Sequence, residues 1–198
     1  MHRVPFSPSA WKDHLPCPIR AAAHPVKGTT LSALTLVLGG ARSGKSRHAE
    51  RLLTAASDPV YIATAQAFDD EMRARIAAHR AAREGAGWTT VEEPVALAEA
   101  LGRVGARPVL VDCLTLWLSN LVLGEREVPA AVDALHAALD ARQADTVLVS
   151  NEVGMGIVPE NPLARRFRDE AGRLHQAIAA RGDASVVLVV AGLAMSLK

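Results

Sequence analysis

Apolar residues along the chain fall into short unbroken runs, separated by longer segments in which they recur every three or four positions. The runs are TLVLGG from Thr35, PVYIATA from Pro59, RPVLVDCLT from Arg107, TVLVSNEVG from Thr146 and ASVVLVVAGLAMSLK from Ala184. Each reads as a strand, the last continuing into a tail. The periodic segments read as helices. KSRHAERLLTAA, from Lys45, places Ala49, Leu52 and Leu53 on one face. A polar, arginine-rich helix spans Asp69 to about Arg83, and LWLSNLVL, from Leu116, is an apolar one. Two more run from Pro129 to about Arg142 and from Pro162 to about Arg181.

The strands are continuously apolar rather than alternating, the pattern of strands covered on both faces. Strands that alternate with helices predict a mainly parallel sheet with helices on both sides, a single α/β domain over residues 34–198. Right-handed crossovers then bring the strand C-terminal ends to one edge, where ligand-binding groups gather. Residues 1–33 differ. They hold five prolines and no sustained periodicity. Without a continuous apolar stretch they are not a signal peptide. We expect a poorly ordered extension, either native or the product of a start codon assigned too far upstream.

Composition narrows the partners. Of the 198 residues 49% are hydrophobic and 22% charged, with net charge +1, an ordinary globular balance. No basic half exists to neutralise duplex phosphates. Aromatics at 4% are too sparse for a base-stacking platform. Nucleic acid is therefore not an expected partner. No apolar run is long enough for a membrane span. Cys17 and Cys113 lack metal-ligand spacing, which suits a reducing, cytoplasmic setting.

The most informative stretch follows the first strand. Gly39, Gly40, Ala41, Arg42, Ser43, Gly44, Lys45 and Ser46 fit G-x-x-x-x-G-K-[ST]. Glycines let the backbone curl so that successive N–H groups face phosphate oxygens, and the following helix adds its positive dipole end. Lys45 would reach the β- and γ-phosphates, and the Ser46 hydroxyl would ligate Mg²⁺. The plain alternative is a glycine-rich turn with a surface lysine. The strand before and helix after favour the phosphate loop, and with it a fold of the P-loop NTPase type. Such folds place an acidic residue at the end of a neighbouring strand to help hold the metal. Asp112, ending VLVD, fits that place; otherwise it caps the next helix.

Beyond the phosphate loop, the sequence resembles the bifunctional adenosylcobinamide kinase / adenosylcobinamide-phosphate guanylyltransferase family of cobalamin synthesis. The resemblance covers residues 35–198 through the blocks GGARSGKSRHAE, YIATAQAFDDEMRARIAAHR, the W–VEEP pattern of Trp88–Pro94, VDCLTLWLSNL and SNEVGMGIVPENPLARRFRDEAGRLHQ. The last is the most specific. The resemblance implies phosphorylation of adenosylcobinamide with ATP or GTP, then transfer of GMP from GTP, through a histidine, to give adenosylcobinamide-GDP. The matching histidine is His79, in R-I-x-x-H. Neutral imidazole is a competent nucleophile near pH 7. By itself His79 is ambiguous, because Met72, Ile76, His79 and Arg83 form one helical stripe that would equally pack against a core. His48 lies near the phosphate loop as a helix-surface residue. His175 stands where the resemblance leads us to expect Asn in many relatives.

The resemblance further implies nucleotide contacts from Arg80, Ala81, Ala82 and Arg83 and from the backbone of Thr64, Ala65 and Gln66. With Arg73 and Arg75 these arginines would oppose charge on departing pyrophosphate. The alternative is a solvated face paired with Asp69, Asp70 and Glu71. A carboxylate can accept from both N1–H and N2–H of guanine, and the resemblance points to Glu92 as that guanine reader, with Glu93 beside it as the other candidate; otherwise the two are surface glutamates before Pro94. The loop after Asn151 and Glu152 either contacts the corrinoid or the nucleotide, or acts as a lid without contact. The resemblance also implies a homo-oligomer, a trimer. Two other functions stay open at this stage: a single-activity P-loop kinase for another small hydroxylated substrate, and a nucleotide-dependent binding protein with little turnover.

Overall fold

The computed structural model describes residues 34–67, 70, 73, 74, 77, 81, 85 and 87–198. Its elements run β1 (Leu34–Gly39), α1 (Lys45–Leu52), β2 (Val60–Ala63), β3 (Thr89–Glu92), α2 (Leu97–Val104), β4 (Val109–Asp112), α3 (Leu114–Leu123), α4 (Val128–Asp140), β5 (Thr146–Asn151), α5 (Pro162–Ala179), β6 (Ala184–Val190) and β7 (Leu193–Ser196). One seven-stranded sheet has the order β3-β2-β4-β5-β1-β6-β7. Every pairing is parallel except β7, which runs antiparallel to β6.

The unbroken apolar runs make sense in this sheet. Successive residues of a strand point to opposite faces. Leu36, Ile62, Val111 and Leu148 join one buried cluster, with Leu101, Trp117, Leu135 and Ile178 from α2 to α5. Their neighbours Val37, Tyr61, Leu110 and Val147 join the other, with Ala49 and Leu53 beside α1. Both faces are covered, so no strand position of the centre can be polar without a partner. β1 lies between β5 and β6, which brings the ends of β5 and β6 alongside the phosphate loop.

Three features go beyond the sequence reading. β3 and α2 occupy a stretch to which no element was assigned. TTVE is a short edge strand, mostly exposed, without a buried run to mark it. α2 buries Leu97, Ala100, Leu101 and Val104 at helical spacing, a signal present in the sequence. The expected C-terminal tail folds back as β7, turned by Ala191 and Gly192, both at positive φ. In the expected helix from Asp69 to Arg83, residues Asp70, Arg73, Ala74, Ala77 and Ala81 are helical. The remainder of that segment lies outside the described residues, as does the proposed extension 1–33.

Candidate functional site

Gly39 ends β1 where nothing larger fits. A Cβ there would lie 2.5 Å from Ser43 Oγ and 2.6 Å from the Val189 carbonyl oxygen. Gly44 has φ +93°, a left-handed conformation that favours glycine. Between them the chain turns tightly, Ser43 N–H donating to the Gly40 carbonyl at 3.3 Å. Gly192 N–H donates to the Ser43 carbonyl at 2.8 Å, so the β6–β7 turn braces the loop from the side. Ala41 and Arg42 are exposed. Ser43 Oγ is buried and has no hydrogen-bond partner among the described residues.

Lys45 opens α1 and is only 9% exposed. Its Nζ donates to the Gly40 carbonyl at 3.2 Å, folding the ammonium back across the loop. Gly44 caps α1 without a side chain, and the first turn carries no acidic residue. The first amides and the dipole of α1 are therefore left for an anion. Ser46 is half-buried in the same turn.

Asp112 ends β4, separated from β1 only by β5. Its Oδ2 accepts from the Tyr61 hydroxyl at 2.9 Å. Cys113 next to it is buried. Burial first, and then the Asp112 carboxylate, push its thiol up to about 11, against smaller opposing effects that include Lys45. A thiol raised that far is no nucleophile at neutral pH. For Mg²⁺ the available donors are one carboxylate and one hydroxyl. That set fits an ion that binds through few protein ligands and completes its octahedron with water and phosphate oxygens.

The end of β2 is tied to the end of β4 by Thr64. Its hydroxyl donates to the Cys113 carbonyl at 2.7 Å and accepts from the Cys113 N–H at 2.8 Å. Its own N–H donates to the Asp112 carbonyl at 3.2 Å. Asn120 Nδ2 donates to the carbonyls of Thr64 at 2.8 Å and Pro94 at 2.9 Å. Thr64 thus acts as a pin within the sheet edge, and Ala65 and Gln66 follow it, half-buried, along that edge.

The two glutamates separate clearly. Glu93 Oε1 accepts from the amides of Val95 at 3.3 Å and Ala96 at 2.8 Å, just ahead of α2. Its Oε2 accepts from Arg103 Nη2 at 3.1 Å. Burial opposes ionisation of Glu93, yet the Ala96 and Val95 amides and the Arg103 guanidinium outweigh it and hold the carboxyl below its ordinary value. Glu92 is exposed at the C-terminal end of β3, on the ligand edge.

The loop after β5 is held at both ends. Glu152 N–H donates to the Gly39 carbonyl at 3.1 Å, joining it to the phosphate loop. Arg168 Nη2 reaches back to the Gly154 carbonyl at 2.8 Å, and Arg165 Nη1 to the Pro159 carbonyl at 3.0 Å. Asn161 Oδ1 caps α5 by accepting from Leu163 and Ala164 N–H. Between these pins Met155, Ile157 and Val158 stand 80%, 97% and 62% exposed.

His79, Arg80, Ala82 and Arg83 lie outside the described residues; Ala81 is helical and exposed. His48 is half-buried, and burial together with Arg51 holds its pKa below the ordinary histidine value. One feature escaped the sequence reading. His175 is buried on α5 and hydrogen-bonds Ser150 on β5, a contact that only the folded sheet creates.

Together these elements gather a glycine loop, a buried lysine, a hydroxyl and an acidic strand end at one end of the sheet, an arrangement able to hold phosphates. A family profile described as cobinamide kinase / cobinamide phosphate guanyltransferase matches residues 35–197. The chain is 54% identical over 174 residues to the bifunctional adenosylcobalamin biosynthesis protein CobP of Pseudomonas aeruginosa, covering 82% of this chain and 96% of that protein. It is 44% identical over 183 residues to the bifunctional adenosylcobalamin biosynthesis protein CobU of Escherichia coli, covering 83% and 99%. The flagellar accessory protein FlaH of Methanocaldococcus jannaschii aligns at TM-score 0.42 and 13% identity, over 84% of this chain and 78% of that one.

Proposed function

The chain belongs to the cobinamide kinase / cobinamide phosphate guanyltransferase family and is a bifunctional enzyme of cobalamin synthesis; on that premise we propose that one phosphate loop serves both reactions and that His79 carries GMP between them. The observation that supports the phosphate-loop part of this reading is the assembled cradle: Lys45 buried in a glycine loop, the uncapped start of α1, and Asp112 across β5; the role of His79 rests on the family.

In the kinase step the aminopropanol hydroxyl of adenosylcobinamide attacks the γ-phosphorus of ATP or GTP, and the nucleoside diphosphate leaves. Positioning and charge neutralisation dominate such transfers. Here Lys45 and the loop amides hold the phosphates. Ser46 and Asp112 would hold Mg²⁺, which when bound supplies further neutralisation of phosphate charge.

In the second step a ring nitrogen of His79 attacks the α-phosphorus of GTP and pyrophosphate departs. The phosphate of adenosylcobinamide phosphate then attacks the same phosphorus, breaking the P–N bond and freeing the imidazole. The covalent intermediate divides one transfer between two anions into two easier ones. Arg80 and Arg83 belong beside the departing pyrophosphate, with Ala81 and Ala82 between them. Glu92 reads guanine; both oxygens of Glu93 are engaged in capping α2 and binding Arg103, which disfavours Glu93 for that duty. Thr64, Ala65 and Gln66 line the nucleotide side of the edge. The corrinoid lies against the exposed apolar tip of the loop after β5. The working form is a homo-oligomer, a trimer, in the cytoplasm; the exposed Leu193, Met195 and Leu197 around β7 offer an apolar edge for a subunit contact. Among the described residues no helix is long and apolar enough to cross a membrane.

The division of labour has a direct test. His79→Ala should abolish formation of adenosylcobinamide-GDP from adenosylcobinamide phosphate and GTP, while phosphorylation of adenosylcobinamide with ATP keeps most of its rate. Loss of both activities in a variant that folds normally would contradict it.

A further inference from the structure

A line of buried polar groups runs beneath the phosphate loop. His175 Nε2 lies 2.8 Å from Ser150 Oγ, and that hydroxyl lies 2.9 Å from Thr115 Oγ1. Thr115 Oγ1 also accepts from the Asn151 N–H at 2.6 Å. All three side chains are buried: His175 is 7% exposed, Ser150 1% and Thr115 6%. The line therefore crosses from α5, through the end of β5, to the first turn of α3.

Each station is next to a part of the site. Asn151 pairs with Gly39, the first residue of the phosphate loop, and Ser150 pairs with Leu38 before it. Glu152 N–H then holds the Gly39 carbonyl. Thr115 follows Asp112 and Cys113 at the turn into α3, and Val149 pairs with Asp112. The two strand ends that present Lys45 and Asp112 are thus tied together by hydroxyls whose outer end is fixed by one imidazole. A buried hydroxyl left unpaired is costly.

We propose that His175 is a positioning residue for both reactions, acting through Ser150 and Thr115 to fix the distance between the phosphate loop and the Asp112 end of β4. It touches neither nucleotide nor corrinoid. The inference rests on the phosphate-loop reading above, which wild-type turnover with ATP and with GTP tests separately.

Four variants test it: His175→Leu, which fills the space without a hydrogen bond; His175→Gln, whose amide nitrogen reaches about as far as Nε2; Ser150→Ala; and the double variant Ser150→Ala with His175→Leu. For each, thermal stability and the kcat and KM of both reactions are measured. We expect His175→Leu and Ser150→Ala each to lower both kcat values about tenfold, as loss of one buried hydrogen bond can. The corrinoid KM should stay within about twofold. His175→Gln should recover most of the rate, and the double variant should be no slower than the slower single one, as members of one network are not additive. The proposal is overturned if His175→Leu turns over like His175→Gln, if the single losses multiply in the double variant, or if stability falls while both kcat values hold. Should His175→Leu fail to fold, Ser150→Ala alone decides: unchanged kcat in both reactions overturns the proposal.

Discussion

Glu92 and Glu93 are neighbours with the same side chain, and the turn into α2 distinguishes their surroundings. Glu93 faces the free amides of Val95 and Ala96 and the Arg103 guanidinium. Its folded pKa is lowered, so the stability it contributes is complete above the unfolded value near 4.5 and is lost as pH falls through the lower folded value. Thermal melts of the wild type and Glu93→Gln should therefore differ most at neutral pH and converge in acid below about 4.5. A gap independent of pH would contradict this account of Glu93. Glu92→Gln should instead raise the KM for GTP in guanylyl transfer about tenfold, the effect of one lost charge-assisted hydrogen bond, with ATP-driven phosphorylation unaffected. The motif singled out Lys45 and Ser46 because a phosphate loop needs fixed spacing, and Asp112 was singled out by its place at the end of an apolar strand. The choice between two adjacent glutamates was not legible, since capping depends on where the backbone turns.

At the scale of elements, polar side chains do much of the joining. Arg142, after α4, donates to the carbonyls of Leu101 at 3.1 Å, Gly105 at 2.8 Å and Arg107 at 2.7 Å, and to Thr146 Oγ1 at 2.9 Å. It clamps α2 and the entry to β4 onto the start of β5, at the sheet edge opposite the phosphates. Arg142→Ala should cost about 2 kcal/mol of stability in chemical denaturation, because three carbonyls, two of them in partly buried bonds, lose a charged donor at once, and should leave kcat unchanged at a temperature where the variant is folded. The loop after β5 was legible as irregular from its glycines and prolines, but its anchoring by Arg165 and Arg168 was not. Ile157→Ser should raise the KM for adenosylcobinamide about tenfold by removing apolar contact area and leave the KM for ATP unchanged. An unchanged corrinoid KM would place the acceptor elsewhere. α2 was missed although its spacing was helical, because a single eight-residue amphipathic stretch is short for a confident period. β3 and β7 were missed because edge strands need not be apolar throughout.

For the molecule as a whole, the α/β architecture was readable because buried parallel strands demand unbroken apolar runs, which few other folds require. Strand order was not readable: pairing is decided between segments far apart in sequence, such as Leu34–Gly39 with Thr146–Asn151. In that order β5 and β6 flank β1, so their ends lie beside the loop that we propose serves both reactions. Lys45→Ala should therefore lower kcat of phosphorylation and of guanylyl transfer together, each by at least about a hundredfold, in paired assays on one preparation. Loss of only one activity would mean two separate triphosphate sites. The central claim, that GMP rests on His79 between pyrophosphate release and transfer to the corrinoid, is tested most directly by incubating the enzyme with GTP labelled at the α- or the γ-phosphate, without corrinoid, and mapping any labelled peptide. We predict α-label alone, stable to base and released by acid, on the peptide containing His79. Absence of protein-bound label, retention of γ-label, or α-label on a different residue would contradict the account.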